Sequence, residues 1–243
     1  MTRPFVLGIP RCNEPDWIFR ETLAAIVASS VKPEYLIIVD NGDNALVRTS
    51  AVDDLVALSN LFRVELSRST KNTGCAGAWN WICGRALSLG DYANYSSAIL
   101  LNSDCAVAPD TFEKMLAEPS EIVLAHGWEC FRFDRTIWEH VGRFDEEYYP
   151  VYFEDTDYRR RLNIASVPVS EWPVVEVSRP SFGRATYSTG ITHGWRLEEA
   201  GYQGWTGEKA AWFQSRWVAN RDRYTAKWGG PPGEEKFTTP FGQ

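Results

Sequence analysis

The segment Tyr148-Tyr149-Pro150-Val151-Tyr152-Phe153-Glu154-Asp155-Thr156-Asp157-Tyr158-Arg159 sets three acids among aromatic residues and runs on into Arg160, Arg161 and Leu162. A carboxylate in a partly apolar pocket binds its proton more tightly and can act as a general base. The same acids would equally suit the first turn of a helix, where the dipole favours negative charge. Glu154 and Asp155 are candidates for either duty. Another acid ends the run Ala98-Ile99-Leu100-Leu101-Asn102-Ser103-Asp104. An uninterrupted apolar run reads as a strand buried on both faces, and in open α/β sheets ligands sit beyond the carboxyl ends of the strands. Asp104 is placed there to hold a divalent cation against a phosphate, although Asn, Ser and Asp are also ordinary turn residues. Asp40 occupies the matching tip of Tyr35-Leu36-Ile37-Ile38-Val39. It could accept a hydrogen bond from the N3–H of uracil or thymine, or from a ribose hydroxyl; Asp40-Asn41-Gly42-Asp43 is also a strong turn sequence.

Two further stretches carry chemistry. Lys71-Asn72-Thr73-Gly74-Cys75-Ala76-Gly77-Ala78-Trp79-Asn80 puts two glycines at a helix start, where small residues admit a ligand and the helix N-terminus favours an anion. Close packing of helix on sheet would explain those glycines as well. It is not a Walker loop, since no Gly-Lys-Ser/Thr follows. His193, in Thr189-Gly190-Ile191-Thr192-His193-Gly194-Trp195, could complete a hard-cation site with Asp104, diphosphate oxygens and water.

The elements that must position these residues alternate. Phe5 to Ile9 predicts a strand closed by Pro10, and Asn13-Glu14-Pro15-Asp16 starts a helix whose stripe is Trp17, Leu23, Ile26 and Val27. Strands at 35–39 and 62–67 flank a helical stretch around 52–58, and helices follow at about 76–89 and 112–116. Strand, helix, strand, helix, strand implies a mostly parallel sheet with right-handed crossovers. A strand opens at Ile122 to Ala125, a helical turn lies near Arg135 to Val141, and the 167–177 region is broken by Pro168 and Pro173. A last helix from about Glu208 to Lys227, with Trp212, Trp217 and Ala219 as inward candidates, ends at Gly229-Gly230-Pro231-Pro232 and leaves a loose tail.

Bulk properties exclude several classes. A hydrophobic content of 44% over 243 residues is ample for a core and rules out disorder. A net charge of −7 argues against a broad nucleic-acid or anionic-membrane surface, while leaving room for a small basic pocket. The five cysteines, Cys12, Cys75, Cys83, Cys105 and Cys130, form no CxxC pair and read as free thiols of a reducing compartment. With no apolar run near the ~20 residues of a membrane span and no apolar leader, the expectation is a soluble cytoplasmic protein without a transmembrane segment. Eleven tryptophans are many; most are expected in the core.

In order along the chain, Ile9-Pro10-Arg11-Cys12-Asn13-Glu14, Ile38-Val39-Asp40-Asn41-Gly42, Asn72-x-Gly74-x-Ala76-Gly77-Ala78-x-Asn80, Leu101-Asn102-Ser103-Asp104 and Phe153-Glu154-Asp155-x-Asp157 resemble the inverting glycosyltransferases of family 2. Lys227-Trp228-Gly229-Gly230 after the final helix is similar to the end of the rhamnosyltransferase-like members. The resemblance spans nearly the whole chain. It implies an α/β GT-A fold, a three-layer sandwich around a mostly parallel sheet, as a single domain over 1–230 with a nucleotide-binding half (1–105), an acceptor-binding half (106–230) and a tail (231–243). Pro10, Arg11, Asn13, Glu14 and Asp40 would line the nucleoside pocket. Asn72, Gly74 and Asn80 would face the nucleotide-sugar, with Lys71, Asn102 and Ser103 beside it. Asp104 and His193 would bind Mn²⁺ or Mg²⁺, and Asp155, next to Glu154, would be the base. Asn102 stands where the metal motif has its first acid, one negative charge fewer.

The reaction implied is a single displacement at the anomeric carbon of a UDP-, dTDP- or GDP-sugar, to a saccharide, protein or lipid-linked acceptor. Two alternatives remain. A nucleotidyltransferase on a similar sheet usually carries a Gly-rich, basic loop after its first strand, and Pro10 to Pro15 offers no glycine. A carbohydrate-binding protein that kept the fold without the chemistry is the other; the acids Asp104, Glu154 and Asp155 and His193 count against it.

Overall fold

The computed structural model describes residues 4–12, 16–41, 58–68, 71–87, 95–125, 127–172, 177–178 and 208–243. In chain order these form β1 (Val6–Arg11), α1 (Asp16–Ala28), β2 (Tyr35–Asp40), β3 (Arg63–Arg68), α2 (Gly74–Leu87), β4 (Ser97–Leu101), β5 (Ala106–Val107) and α3 (Thr111–Ala117). Then come β6 (Ile122–Leu124), β7 (Cys130–Asp134), α4 (Arg135–Val141), α5 (Glu154–Ile164), β8 (Ser170–Glu171), β9 (Val177–Ser178) and α6 (Glu208–Trp228). The sequence helix at 52–58, apart from Leu58, lies outside the described residues.

The main sheet runs β3-β2-β1-β4-β7-β6-β8, with β5 and β9 as a separate antiparallel pair. Its first four strands are parallel. Period-2 alternation sorts their apolar residues onto two faces. Phe5, Leu7, Ile9, Leu36, Ile38, Ile99 and Leu101 pack with α1 and α3. Val6, Ile37, Val39, Ala98 and Leu100 pack with α2, Phe144 and α5. A Cβ on Gly8 would come within 2.2 Å of Ile82, so the absent side chain lets α2 lie close on β1.

Four expectations change. β1 passes through Pro10 instead of stopping there: Arg11 and Phe5 carbonyls bond toward β2, so Pro10 faces β4, where pairing has already ended at Gly8–Leu100. No partner needs its missing N–H. β7, absent from the sequence reading, lies in mid-sheet, antiparallel to both β4 and β6. Arg132 interrupts its apolar pattern, yet is 3% exposed because its guanidinium donates to the carbonyls of Met115, Glu118 and Ser120. The inward face of α6 is Phe213, Asn220, Tyr224 and Trp228, with Trp217 half-buried against Phe153, whereas Trp212 and Ala219 are exposed. The loose tail is instead tied down: Lys236 and Phe237 amides bond to the Trp228 carbonyl, Tyr224 donates to Glu235, and Arg160 donates to the Phe237 carbonyl. None of the five cysteines is in a disulfide. No helix among the described residues is long and apolar enough to cross a membrane.

Candidate active site

Strand order reverses between β1 and β4: the chain moves from β1 outward through β2 to β3, then returns to the other side of β1. Such a switch point opens a crevice at the carboxyl ends of the strands. The tips there are Arg11, Asp40 and the Asn102-Ser103-Asp104 turn. Arg11 and Asp40 are register partners on β1 and β2, and their side chains form an ion pair at 3.2 Å with no more than 2% exposure. Burial of both charges at once is tolerable because each neutralises the other. Arg11 also stacks over Phe19, 5.6 Å from its centroid.

Asn41, next after Asp40 and 5% exposed, joins this floor to α2. Its Nδ2 donates to the Gly74 carbonyl (3.1 Å), and its Oδ1 accepts from the Thr73 amide (3.3 Å) and hydroxyl (3.0 Å). Asn72 Oδ1 accepts from the Gly74 amide at 2.7 Å, and the Pro150 carbonyl accepts from the Cys75 amide at 2.8 Å. The first two amides of α2 are therefore occupied by the protein, and this helix start is first of all a joint. Gly74 is needed at it: φ is +75°, and a Cβ would meet the Pro150 oxygen at 2.7 Å. Lys71, exposed at the rim, supplies positive charge before the joint. Asn80, expected to face the nucleotide-sugar, is 4% exposed and holds the Phe144 amide and carbonyl and Glu146 Oε1 at 2.8–2.9 Å. It braces the turn before α5.

A second turn, Tyr152-Phe153, lies directly before α5 and aims the acids. Tyr152 and Phe153 both adopt left-handed φ, +78° and +72°, a conformation that costs non-glycine residues energy and persists where the surroundings impose it. Asn220 of α6, 2% exposed, donates to the Val151 (2.9 Å) and Tyr152 (3.3 Å) carbonyls, and Arg216 donates to the Tyr149 carbonyl at 3.2 Å. Asp157, fully buried, accepts from Lys227 (2.7 Å), Trp228 Nε1 (2.9 Å), Arg161 (3.0 Å) and the Tyr148 hydroxyl (3.3 Å). It is the hub that clamps α5 to α6.

Glu154 and Asp155 begin α5 and differ sharply. Glu154 is 2% exposed, and its Oε2 is buried with no hydrogen-bond partner. Burial, then the charge of Asp155, raises its pKa well above the usual carboxylate range. Its neighbour is the Cys75 thiol, whose own pKa burial and the two acids push up. Asp155 is also raised by burial, against hydrogen bonds from Thr156 that fall on Oδ1, from the amide at 2.6 Å and the hydroxyl at 3.1 Å. These bonds fix the rotation of the carboxylate. Asp155 lines a cavity of about 320 Å³.

At the β4 tip, Thr22 donates to the Ser103 carbonyl at 2.8 Å, and the Asn102 amide donates to the Glu129 carbonyl at 2.8 Å. The Cys105 thiol stands 3.6 Å from Asp104 Oδ1 and 3.8 Å from Glu129 Oε2. Two carboxylates thus share this tip, a donor set suited to a hard divalent cation. No cluster of three or more metal-ligating side chains occurs among the described residues. Asn13, Glu14 and His193 lie outside them. The sequence reading missed Asn41, Glu129 and Asn220. Asn41 stands inside a quoted motif; the other two sit in no motif, and only their partners reveal them.

A family model described as "Glycosyl transferase family 2" matches residues 7–170. No curated protein matches the chain. Among solved structures, a mannosyltransferase from Pyrobaculum calidifontis in complex with GDP-Man and Mn²⁺ aligns with a TM-score of 0.59 at 20% identity, over 82% of this chain and 61% of that one. GalNAc-T7 with UDP, GalNAc and Mn²⁺ aligns at 0.58 and 12% identity, over 92% and 50%. TarS of S. aureus aligns at 0.54 and 13% identity, over 69% and 35%. The chain thus spans between about a third and three fifths of these structures, which share its GT-A architecture.

Proposed function

Because the chain belongs to glycosyl transferase family 2, we propose that it moves a sugar from a nucleoside-diphosphate sugar to an acceptor hydroxyl, with inversion at the anomeric carbon. The observation that carries this reading is Asp155: a carboxylate with one oxygen anchored by Thr156, made more basic by burial, on the wall of a sugar-sized cavity and on the helix start tied through Pro150 to α2. Asp155 takes the proton of the acceptor hydroxyl. The acceptor oxygen bonds to the anomeric carbon as the bond to the diphosphate breaks, and the diphosphate leaves with the electron pair. A single base in line with the leaving group inverts the centre, and a diphosphate needs no acid to depart.

Pro10, the Arg11–Asp40 pair, Asn13 and Glu14 would bind the nucleoside at the β1/β2 tips, while Asn72 shapes the joint and Lys71 offsets diphosphate charge. Asn102 and Ser103 set the turn that presents Asp104. Asp104, with His193, would hold Mn²⁺ or Mg²⁺, which when bound acts as a Lewis acid toward the leaving diphosphate. The mannosyltransferase and GalNAc-T7 structures, both with Mn²⁺ and nucleotide ligands, support a nucleotide donor and a divalent ion. Release of nucleoside diphosphate from UDP-, dTDP- and GDP-sugars tests the reading, followed by NMR of the transferred sugar. Inverted product that disappears in Asp155→Asn is expected; retained configuration, or Asp155→Asn turning over like wild type, overturns it.

A further inference from the structure

The cavity beside Asp155 is lined on one side by Arg159 and Arg160 of α5 and on the other by Pro232, Gly233 and Glu235 of the segment after α6. About 320 Å³ is near the lower end of ligand pockets and has room for one sugar residue. Trp128, half-buried and packed against Phe133, Phe144 and Tyr158, supplies part of the wall.

Two acids, Asp155 and Glu235, face two arginines, Arg159 and Arg160, and they are already paired to different degrees. Glu235 faces the cavity, but its carboxylate is already bound, accepting from the Tyr224 hydroxyl and from the Gly233 amide at 3.1 Å. Arg160 gives Nη2 to the Phe237 carbonyl at 2.8 Å, while its Nε is buried without a hydrogen-bond partner. Arg159 pairs with Glu171 at 3.3 Å, with side chains 36% and 54% exposed, a contact weak enough to exchange for a better one. Asp155 would repel an anion at its own end. Arg159 stands four residues further along α5, about one 5.4 Å turn away, roughly the span of a sugar ring.

We propose that this cavity is the acceptor subsite and selects an anionic saccharide: its hydroxyl meets Asp155, and a carboxylate or phosphate on the same sugar meets the Arg159 and Arg160 guanidiniums, whose planar forks suit either group. The proposal rests on Asp155 being the base. Calorimetric titration of the full chain with methyl glucuronide, glucose 1-phosphate and methyl glucoside separates the two anion sources from the neutral sugar. Run with the product nucleoside diphosphate saturating, it excludes the donor site. At least one anionic probe should bind about tenfold or more tighter than the glucoside, as a charge-assisted hydrogen bond implies. Arg159→Gln should abolish that margin with an unchanged melting temperature, and Arg159→Lys should restore part of it. Equal binding of all three probes, anion binding indifferent to Arg159→Gln, or displacement of the probe by the nucleoside diphosphate each overturns the subsite. Absence of nucleoside diphosphate release by wild type from any donor overturns the transferase reading, and the acceptor role with it, even if the anion preference is seen.

Discussion

Two adjacent carboxylates at the start of α5 are put to different uses by their surroundings. Asp155 keeps one oxygen on Thr156 and opens on a cavity; Glu154 is sealed against Cys75. General-base catalysis contributes about 10²–10⁴-fold, so Asp155→Asn should lower turnover by that order at constant donor affinity, measured by steady-state kinetics. Because burial raises the pKa of Asp155, the acid limb of the wild-type pH–rate profile should fall above the ordinary aspartate range. For Glu154 the linkage sign is that of a group whose proton is held more tightly in the fold. Its stabilising contribution is complete below the ordinary glutamate pKa and is lost as pH rises from there through the raised one. Glu154→Gln should flatten this decline and raise the melting temperature at neutral pH; a steeper decline or lower melting temperature in the variant would refute the assignment. The acids themselves were legible in the sequence from their aromatic setting, and the family resemblance had already singled out Asp155 as the expected base; that Glu154 is the one sealed off depended on its packing against Cys75.

The α5–α6 pair is the element on which this geometry depends. Asp157 meets Lys227, Arg161 and Trp228, and removing one partner of a buried ion network costs about 3–5 kcal/mol. Asp157→Ala should therefore lower the unfolding free energy obtained from urea titration by that much, since the Trp228 indole N–H would lose its acceptor and Lys227, at 8% exposure, would keep only Asp145. Asn220 acts more locally, holding the Val151 and Tyr152 carbonyls at the entry to the left-handed Tyr152-Phe153 turn. Asn220→Ala should cost about 1–3 kcal/mol and reduce turnover more than donor affinity, because it loosens the aim of Asp155 without touching the nucleoside pocket. At the other joint, Gly74→Ala would force a β-carbon against the Pro150 oxygen at positive φ. A loss of stability of about 1–3 kcal/mol, with weakened coupling of α2 to the acid turn, is expected in thermal unfolding.

For the whole molecule, a donor that binds the folded chain must stabilise it by about 2.7 kcal/mol at a hundred times its Kd, so thermal-shift screening of UDP-, dTDP- and GDP-sugars with Mn²⁺ should single out the donor, and Asp104→Ala should erase the Mn²⁺-dependent part. The chain's own order of residues determined the alternating strands and helices, the polar strand tips and the acid motif, because hydrophobic period and turn chemistry are local properties. Arg132 hid β7, since a buried arginine becomes tolerable only when the end of α3 offers it carbonyls. Likewise Asn80 became a brace and the tail a cavity wall through partners found elsewhere in the chain. Tertiary structure decided every pairing that matters at the site: Arg11 with Asp40, 29 residues apart, Thr22 with Ser103, 81 apart, and Asp157 with Trp228, 71 apart. A buried polar group must find its partner wherever packing brings one, and the length of chain between them carries no trace of that choice.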